Sequence, residues 1–325
     1  MNLTPWPRVV AVALTGSAIL ALVVLAFLWP PVTSTVHDIP IAVVGDNPAV
    51  TSQLSRQFDV LPATSREDAI AQLHSRTAYG AIVLGTQPEV LSSSANGTVV
   101  GQMLDSVAAR LNTTATDVVP FASSDARGAG LSAMTFPLVI GGIAGGVIIS
   151  MLVRGVRRRL LATAAYGVGA GVVIVAIAAE WFGILQGDTL ALVAAVTMAV
   201  LAVSAPIVGL TTVVGPAGIG VVAVVMMFLG NQISGAAAPW QFLPSPWGVV
   251  GQFFPPGAGA TLMRNLSYFP DAATAQAWWV LASWIAAGVV FMVVGHRKIT
   301  ASAHSTVPAS SMPASSMPEA ARVAL

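Results

Sequence analysis

Six stretches of this 325-residue chain are long, apolar and free of charge, and they constrain its fold more than any other feature. Each has close to the ~20 residues that an α-helix needs to cross a bilayer. Charged residues make up only 8% of the chain, whereas soluble globular proteins carry about 25%. So few charges cannot cover the surface of a soluble protein of this size. The sequence therefore predicts an α-helical integral membrane protein with six transmembrane helices, at residues 9–29, 136–153, 160–179, 190–214, 217–233 and 277–295.

Two parts of this predicted topology have alternative interpretations: the first span, and the junction between the fourth and fifth spans. The first span follows Arg8 and could be a secretory signal peptide. It is longer than the ~7–15-residue apolar region of such peptides, and no small-residue cleavage site follows it, which favours an uncleaved signal anchor. Gly215 and Pro216 separate the fourth and fifth spans. We interpret this pair as a tight turn, and the alternative is a break within one longer element.

Basic residues are concentrated on one predicted side of the membrane. With six spans, both termini share a side with the loop that contains Arg154, Arg157, Arg158 and Arg159. That side has eight basic residues and one acid, a net charge of +7, whereas the other side has six basic residues and twelve acids, a net charge of −6. Because basic loops stay in the cytoplasm, we expect a multi-pass protein of the plasma (inner) membrane with both termini cytoplasmic.

The two cytoplasmic ends are expected to be simple. Residues 1–8 form a short N-terminus. Residues 296–325 contain a low-complexity repeat of Ser-Ser-Met-Pro, which is typical of a disordered tail. A spacer is the preferred interpretation of this tail, and a targeting or binding segment is the alternative.

Most of the remaining charges lie in residues 31–133, between the first two spans. Short apolar runs alternate there with helical patterns, which indicates a small extracytoplasmic α/β domain inserted between helices 1 and 2. Ser65, with Asp68 three residues later, resembles the capping box that begins a helix. The predicted strands are 40–46, 59–63, 79–85, 90–94 and 117–121, and the predicted helices are 47–58, 66–76 and 99–111.

Two absences exclude several chemistries. The chain has no cysteine, which excludes disulfides, thiolate metal sites and cysteine nucleophiles. Its only lysine, Lys298, precedes Ile299, whereas a P-loop lysine precedes Ser or Thr. His37 and His74, the histidines of the domain, belong to no metalloprotease or hydrolase motif. We therefore expect no catalytic, metal, cofactor or nucleic-acid site in this chain.

Two features of the second span suggest contacts. Gly141, Gly142, Gly145 and Gly146 form two overlapping G-x-x-x-G pairs, which let helices approach closely. The pairs could serve a contact between subunits or packing within one chain. The four arginines at 154–159 that follow could anchor the loop at anionic lipid or dock a cytoplasmic partner, and these two interpretations are compatible.

The stretch 236–270 is apolar but interrupted by prolines and rich in aromatic residues. Irregular backbone at membrane depth must be shielded by protein. We therefore predict a re-entrant or interfacial hairpin with short helices near 247–254 and 257–266, and the alternative is a loop that only seals the outer face. The residues selected for this hairpin are Trp247, Phe253, Phe254, Pro255, Pro256 and Arg264.

Glu180 and Arg264 are the charges closest to the predicted hydrophobic zone. Ionisable residues inside a membrane are candidates for transport, and Glu180 is retained as a possible transport charge. Both residues lie near predicted outer edges, however, and Trp181 and Phe182 beside Glu180 resemble an interfacial belt. An interfacial position is therefore the alternative for each.

The complete topology resembles the permease subunits of type-2 ABC exporters, in particular the YhgE/Pip-like branch. One span, a domain of about 100 residues and five further spans with a hairpin before the last carry the resemblance, from about residue 8 to residue 296. The segments that carry it are Asp-Ala-Arg-Gly at 125–128, Phe-Pro-Leu-Val-Ile-Gly-Gly at 136–142, Gly-Asn-Gln-Ile-Ser-Gly at 230–235, Phe-Leu-Pro at 242–244 and Phe-Phe-Pro-Pro-Gly-Ala at 253–258.

The resemblance implies a homodimer or heterodimer in the lipid bilayer, driven by a separate ABC ATPase that binds ATP. It places the coupling surface for that ATPase at 153–160 and makes the hairpin a pair of extracellular re-entrant helices near the exit. Such permeases usually have an amphipathic helix before the first span, whereas residues 1–7 precede it here.

Three functions follow from these observations. The first is an exporter permease that moves a hydrophobic or amphiphilic substrate outward. The second is a non-transporting membrane scaffold or receptor that presents the α/β domain. The third, an ion-coupled transporter, would need intramembrane charges, and Glu180 is the main candidate.

Overall fold

The computed structural model describes residues 4–34 and 39–305, without the side chains of 31, 49 and 297–305. His37 and residues 306–325 of the predicted tail lie outside the described residues. The helices are α1 (Trp6–Thr33), α2 (Pro48–Leu54), α3 (Arg66–His74), α4 (Thr98–Arg110), α5 (Ala129–Leu152), α6 (Val156–Val175), α7 (Thr189–Val214), α8 (Ala217–Val224), α9 (Trp247–Gly251), α10 (Pro255–Tyr268) and α11 (Ala275–Ser305). The strands are β1 (Ile39–Val44), β2 (Phe58–Ala63), β3 (Gly80–Val83), β4 (Glu89–Ser92) and β5 (Ala115–Asp117).

Five helices are long and apolar enough to cross a membrane, which is consistent with the predicted membrane class. They are α1, α5, α6 with its extension to Trp181, α7 and α11. The predicted span 217–233 corresponds to a shorter apolar helix, Ala217–Gly230, formed by α8 and a π-helical segment Val225–Gly230. Helix α11 continues to Ser305, so the first part of the predicted tail is helical.

Helix α7 is the centre of the helical part. It contacts α5, α6, α8, α10 and α11. Within an apolar stretch of 18 residues in α7, 67% of the residues are buried. In the corresponding stretch of α1, none are buried. Thus α1 lies at the edge of the molecule, and α7 holds the other helices together.

The glycines of α5 pack against helices of the same chain. A Cβ at Gly142 would lie 2.7 Å from Cβ of Val203, and one at Gly146 would lie 2.9 Å from Cβ of Ile207, both on α7. Gly145 faces the ring of Tyr166 on α6, and the Tyr166 hydroxyl donates to the carbonyl of Gly141 at 2.6 Å. Intramolecular packing therefore explains these glycines without a second subunit.

The small domain is a five-stranded sheet with helices on both faces. The strand order is β2-β1-β3-β4-β5, in which only β3 and β4 pair antiparallel. Leu73 of α3 belongs to the core on one face, and Leu104 of α4 to the core on the other. Phe242, from the stretch before α9, completes the second core, so the membrane hairpin contributes to the domain.

Local signals explain where the domain elements begin and end. The Ser65 hydroxyl accepts from the Asp68 backbone N–H at 3.1 Å, so the predicted cap is present. Helix α2 ends at Leu54, earlier than predicted, because Phe58 already begins β2. Strand β5 lies at 115–117 rather than 117–121, in register with Val90–Ser92 of β4.

We expect Gly142→Ala to destabilise the protein and Gly169→Ala to leave its stability unchanged or improve it. The Gly142 variant forces α5 away from α7, at a cost of about 1–3 kcal/mol. Gly169 lies inside α6 with nothing within 4 Å of an added Cβ, so it gains helix propensity of up to about 1 kcal/mol. Thermal unfolding in detergent, followed by circular dichroism, compares the two, and equal shifts would contradict the packing described here.

Candidate functional site

An apolar cleft of about 770 Å³ lies between α1 and the helix Ala217–Gly230. One wall is α1, and the other is the π-helical segment with the turn that follows it and the start of α9. The lining residues are Ile19, Leu22, Val23, Leu25, Ala26, Trp29, Val224, Phe228, Leu229, Gln232, Ile233 and Trp247. A cleft of this size is within the range of small-molecule sites.

Two edge-to-face aromatic contacts join α1 to the opposite wall. The rings of Phe27 and Phe228 lie 6.0 Å apart at 77°, and those of Trp29 and Trp247 lie 5.9 Å apart at 82°. Each such contact contributes about 0.5–1.5 kcal/mol beyond the area it buries. The contacts close one end of the cleft, while most of α1 remains exposed along its length.

Gln232 supplies a polar side chain to the cleft, in addition to the indole N–H groups of Trp29 and Trp247. Its Nε2 is buried and donates no hydrogen bond within the described part of the chain. A buried amide donor without a partner costs about 1–3 kcal/mol. If the Gln232 side chain turned towards the cleft, a ligand with a carbonyl, ester or hydroxyl oxygen among apolar groups would remove that cost. The cleft is thus suited to an amphiphilic molecule.

The π-helical segment sets the direction of Gln232. The Asn231 backbone N–H donates to the Met226 carbonyl at 2.9 Å, an i to i+5 bond. This wider turn changes the register of the residues that follow it, and π-turns are frequent at functional sites. Gln232 was not among the residues predicted from the sequence, although the polar pair Asn231-Gln232 at the end of an apolar span was a usable signal.

The basic residues after α5 do not all lie in a loop, which corrects the sequence interpretation. Only Val153, Arg154 and Gly155 connect the helices, and Arg157, Arg158 and Arg159 form the first turn of α6. Arg154, Arg157 and Arg158 are exposed. Positive charge at a helix N-terminus opposes the helix dipole, so helix stability does not explain these arginines.

Arg159 has a structural role that separates it from its neighbours. Its Nε donates to the Val153 carbonyl at 2.8 Å, and its Nη2 donates to the Ser150 carbonyl at 2.9 Å. These bonds satisfy carbonyls at the end of α5, which have no partner within the helix. Arg159 therefore fixes the turn between α5 and α6, and the exposed set is Arg154, Arg157 and Arg158.

Glu180 lies on the outside of the helical part. It is exposed, in the π-helical segment Ala176–Trp181 at the end of α6. Next to it, the rings of Trp181 and Phe182 stack 5.8 Å apart at 9°, and Trp181 is 79% exposed. The interfacial interpretation therefore fits Glu180 better than a role as a transport charge.

The selected hairpin residues occupy four different environments. Trp247 lines the cleft, and Phe253 is 54% exposed. The Phe254 ring lies 5.9 Å from that of Trp284 on α11. Pro255 and Pro256 begin α10 and are buried, and Arg264 is buried later in the same helix. The structure therefore does not bring these six residues into one site.

Comparisons with models of protein families, with curated proteins and with solved structures each find no match to this chain. The resemblance to type-2 ABC exporter permeases therefore stays a prediction. The geometry of the cleft and of the basic turn has to carry any functional argument.

Proposed function

We propose that this chain is the membrane permease subunit of an ABC-type exporter that moves a hydrophobic or amphiphilic substrate outward. The cleft between α1 and Ala217–Gly230 carries the proposal. Its lining is almost entirely apolar, and Gln232 in one wall has a buried donor, Nε2, without a partner in the described chain. This combination favours a molecule with an apolar chain and an oxygen acceptor.

The energy source is proposed to be a separate ATPase subunit. The exposed Arg154, Arg157 and Arg158 support this part of the proposal, because they form a compact basic surface that helix stability does not explain. The chain has no P-loop lysine. A partner that binds and hydrolyses ATP, in a homodimeric or heterodimeric transporter, would supply the motor.

The topology is proposed to include six crossings with both termini cytoplasmic. Gly218 packs against Leu210 and Thr211 near the end of α7, and Gly230 packs against Phe254 and Pro256 of the hairpin. The hairpin in turn contacts the domain, where the Tyr79 hydroxyl and Gln241 Oε1 lie 3.1 Å apart. These contacts support a course for Ala217–Gly230 from the end of α7 to the side of the domain. Its 14 residues span about 21 Å, and residues 231–233 extend this to about 25 Å. The hydrocarbon core is about 30 Å thick, so the proposed crossing requires local thinning of the bilayer.

A photo-crosslinking experiment tests the cleft. Phosphatidylcholine with a diazirine in one acyl chain is expected to label residues 19–29 and 224–233 of the protein in vesicles. Ala26→Trp fills the cleft and should reduce this labelling about tenfold, equivalent to the loss of roughly two methylene contacts. Ala21, exposed on α1 and outside the cleft lining, gives the matched control Ala21→Trp. Equal labelling of both variants would reject the cleft as a binding site.

Cysteine labelling tests the orientation directly, because the native chain has no cysteine. A membrane-impermeant maleimide should label the Asp105→Cys variant in intact cells. It should label the Arg154→Cys variant only after lysis. Both positions are exposed in the folded chain, so burial does not limit the reaction. Labelling of Arg154→Cys in intact cells would contradict the proposed topology.

Copurification tests whether a separate ATPase subunit binds this chain. The wild-type protein should retain a P-loop ATPase that mass spectrometry identifies, and charge reversal at Arg157 and Arg158 to Glu should reduce its recovery about tenfold or more. Arg110→Glu, an exposed change in the α/β domain, is the control. Unchanged recovery from the double variant would reject the coupling surface. Absence of any ATPase from the wild-type preparation would favour the scaffold or receptor function.

A further inference from the structure

Two arginines meet where the α/β domain rests on the hairpin. Arg76 follows α3, and its Nε donates to Asn96 Oδ1 and its Nη1 to Asn265 Oδ1, both at 2.7 Å. Arg264 of α10 donates from Nη2 to the Ala236 carbonyl at 2.8 Å. Its Nη1 lies 3.5 Å from the Asn96 carbonyl. Both guanidinium groups therefore contact the same asparagine.

No carboxylate neutralises this pair among residues 4–34 and 39–305. Arg66 and Glu89 form an ion pair on another part of the domain. Asp125 accepts from the backbone N–H groups of Gly130 and Leu131 at 3.0 Å. The hydrogen-bond partners of the two arginines in the described part of the chain are neutral oxygens. Two buried or half-buried cations at one point need a counter-charge, because burial without one is costly.

Both arginines also keep donors that the protein does not use. Arg264 is 4% exposed, yet its Nε has no hydrogen-bond partner in the described chain. Nη2 of Arg76 likewise makes no protein bond within the described residues. Burial and the nearby charge of Arg76 lower the pKa of Arg264 to about 10, so Arg264 remains a cation at neutral pH.

The position of Arg76 allows a ligand to approach. Arg76 is half-buried, whereas Arg264 is buried. The rings of Tyr79 and Phe269 lie 5.8 and 5.5 Å from the Arg76 guanidinium carbon. They hold its plane in place, which reduces the entropy that Arg76 would lose on binding. An anion from solvent or from the membrane surface would reach Arg76 first.

We propose that Arg76 and Arg264 form a binding site for a phosphate group at the junction of the domain and the hairpin. A phosphate monoester carries about −1.5 to −2 charges at neutral pH, which balances two guanidinium groups better than one carboxylate does. Arginine forks also match phosphate oxygens geometrically. Inorganic phosphate and the monoester headgroup of phosphatidic acid share this chemistry. The site is independent of the transport function proposed above.

The test uses the full chain and two sources of phosphate. In lipid-free detergent, inorganic phosphate is compared with chloride at equal ionic strength. In nanodiscs, phosphatidic acid, a phosphate monoester, is compared with phosphatidylcholine. A ligand at 100 times its Kd should raise the unfolding midpoint by about 4 °C. A response in detergent identifies free phosphate, and a response confined to phosphatidic acid identifies a headgroup.

Arg76→Gln should remove the response or weaken the apparent affinity at least about tenfold, the scale of one charged hydrogen bond. Arg56→Gln, an exposed change at the end of α2, should respond as the wild type does. The inference is overturned if neither phosphate source stabilises the wild type beyond its control. It is equally overturned if Arg76→Gln and Arg56→Gln respond alike. The comparison of the wild-type protein with phosphate and with its control needs no variant. It therefore still tests the proposal if Arg76→Gln folds poorly.

Discussion

The packing of the membrane helices depends on close contacts with α7. Glycines make these contacts possible because they have no side chain. Every long helix that packs along α7 does so at a glycine. Gly142 and Gly146 of α5 face Val203 and Ile207, and Gly288 of α11 lies against the backbone of Ala205. On α6, Gly167 faces Leu201 and Gly171 faces Thr197. Since lipid provides no hydrophobic driving force between helices, such close packing is what holds them together.

The same constraint explains the cleft. Helix α1 has one glycine, Gly16, and nothing lies within 4 Å of a Cβ added there. Without a glycine at a contact, α1 does not approach the bundle as closely as α5, α6 and α11 do. It touches the molecule through large rings instead, at Phe27 and Trp29. A gap between α1 and Ala217–Gly230 is the geometric consequence, and it gives the chain a place for an apolar ligand.

The α/β domain is tied to the hairpin and is not attached only through its two connections to the spans. Phe242 enters the domain core, Tyr79 contacts Gln241, and Arg76 contacts Asn265. Ligand binding at this junction, or movement of α10, would therefore affect the α/β domain through these contacts. Since α10 also packs on α7 and α11, the domain and the membrane helices are mechanically linked. This link suits an exporter whose outer domain responds to the membrane part.

Hydropathy predicted the membrane class and the position of each apolar helix, because those depend on composition within one segment. The α/β class followed from local periodicity, and the Ser65 cap from a short motif. The missed features depend on contacts between distant segments. Arg159 was grouped with Arg157 and Arg158 because nothing in their order shows that its guanidinium reaches back to Ser150. The roles proposed for Gln232 and Arg76 depend on the three-dimensional structure, which places α1 opposite Gln232 and α10 beside Arg76.

The most direct test of this account is a cryo-electron microscopy structure of the protein in lipid nanodiscs. The account predicts elongated non-protein density in the cleft between α1 and Ala217–Gly230, with a polar atom within hydrogen-bond distance of Gln232 Nε2. A structure in which α1 packs directly on that helix, with Gln232 Nε2 bonded to protein, would contradict it.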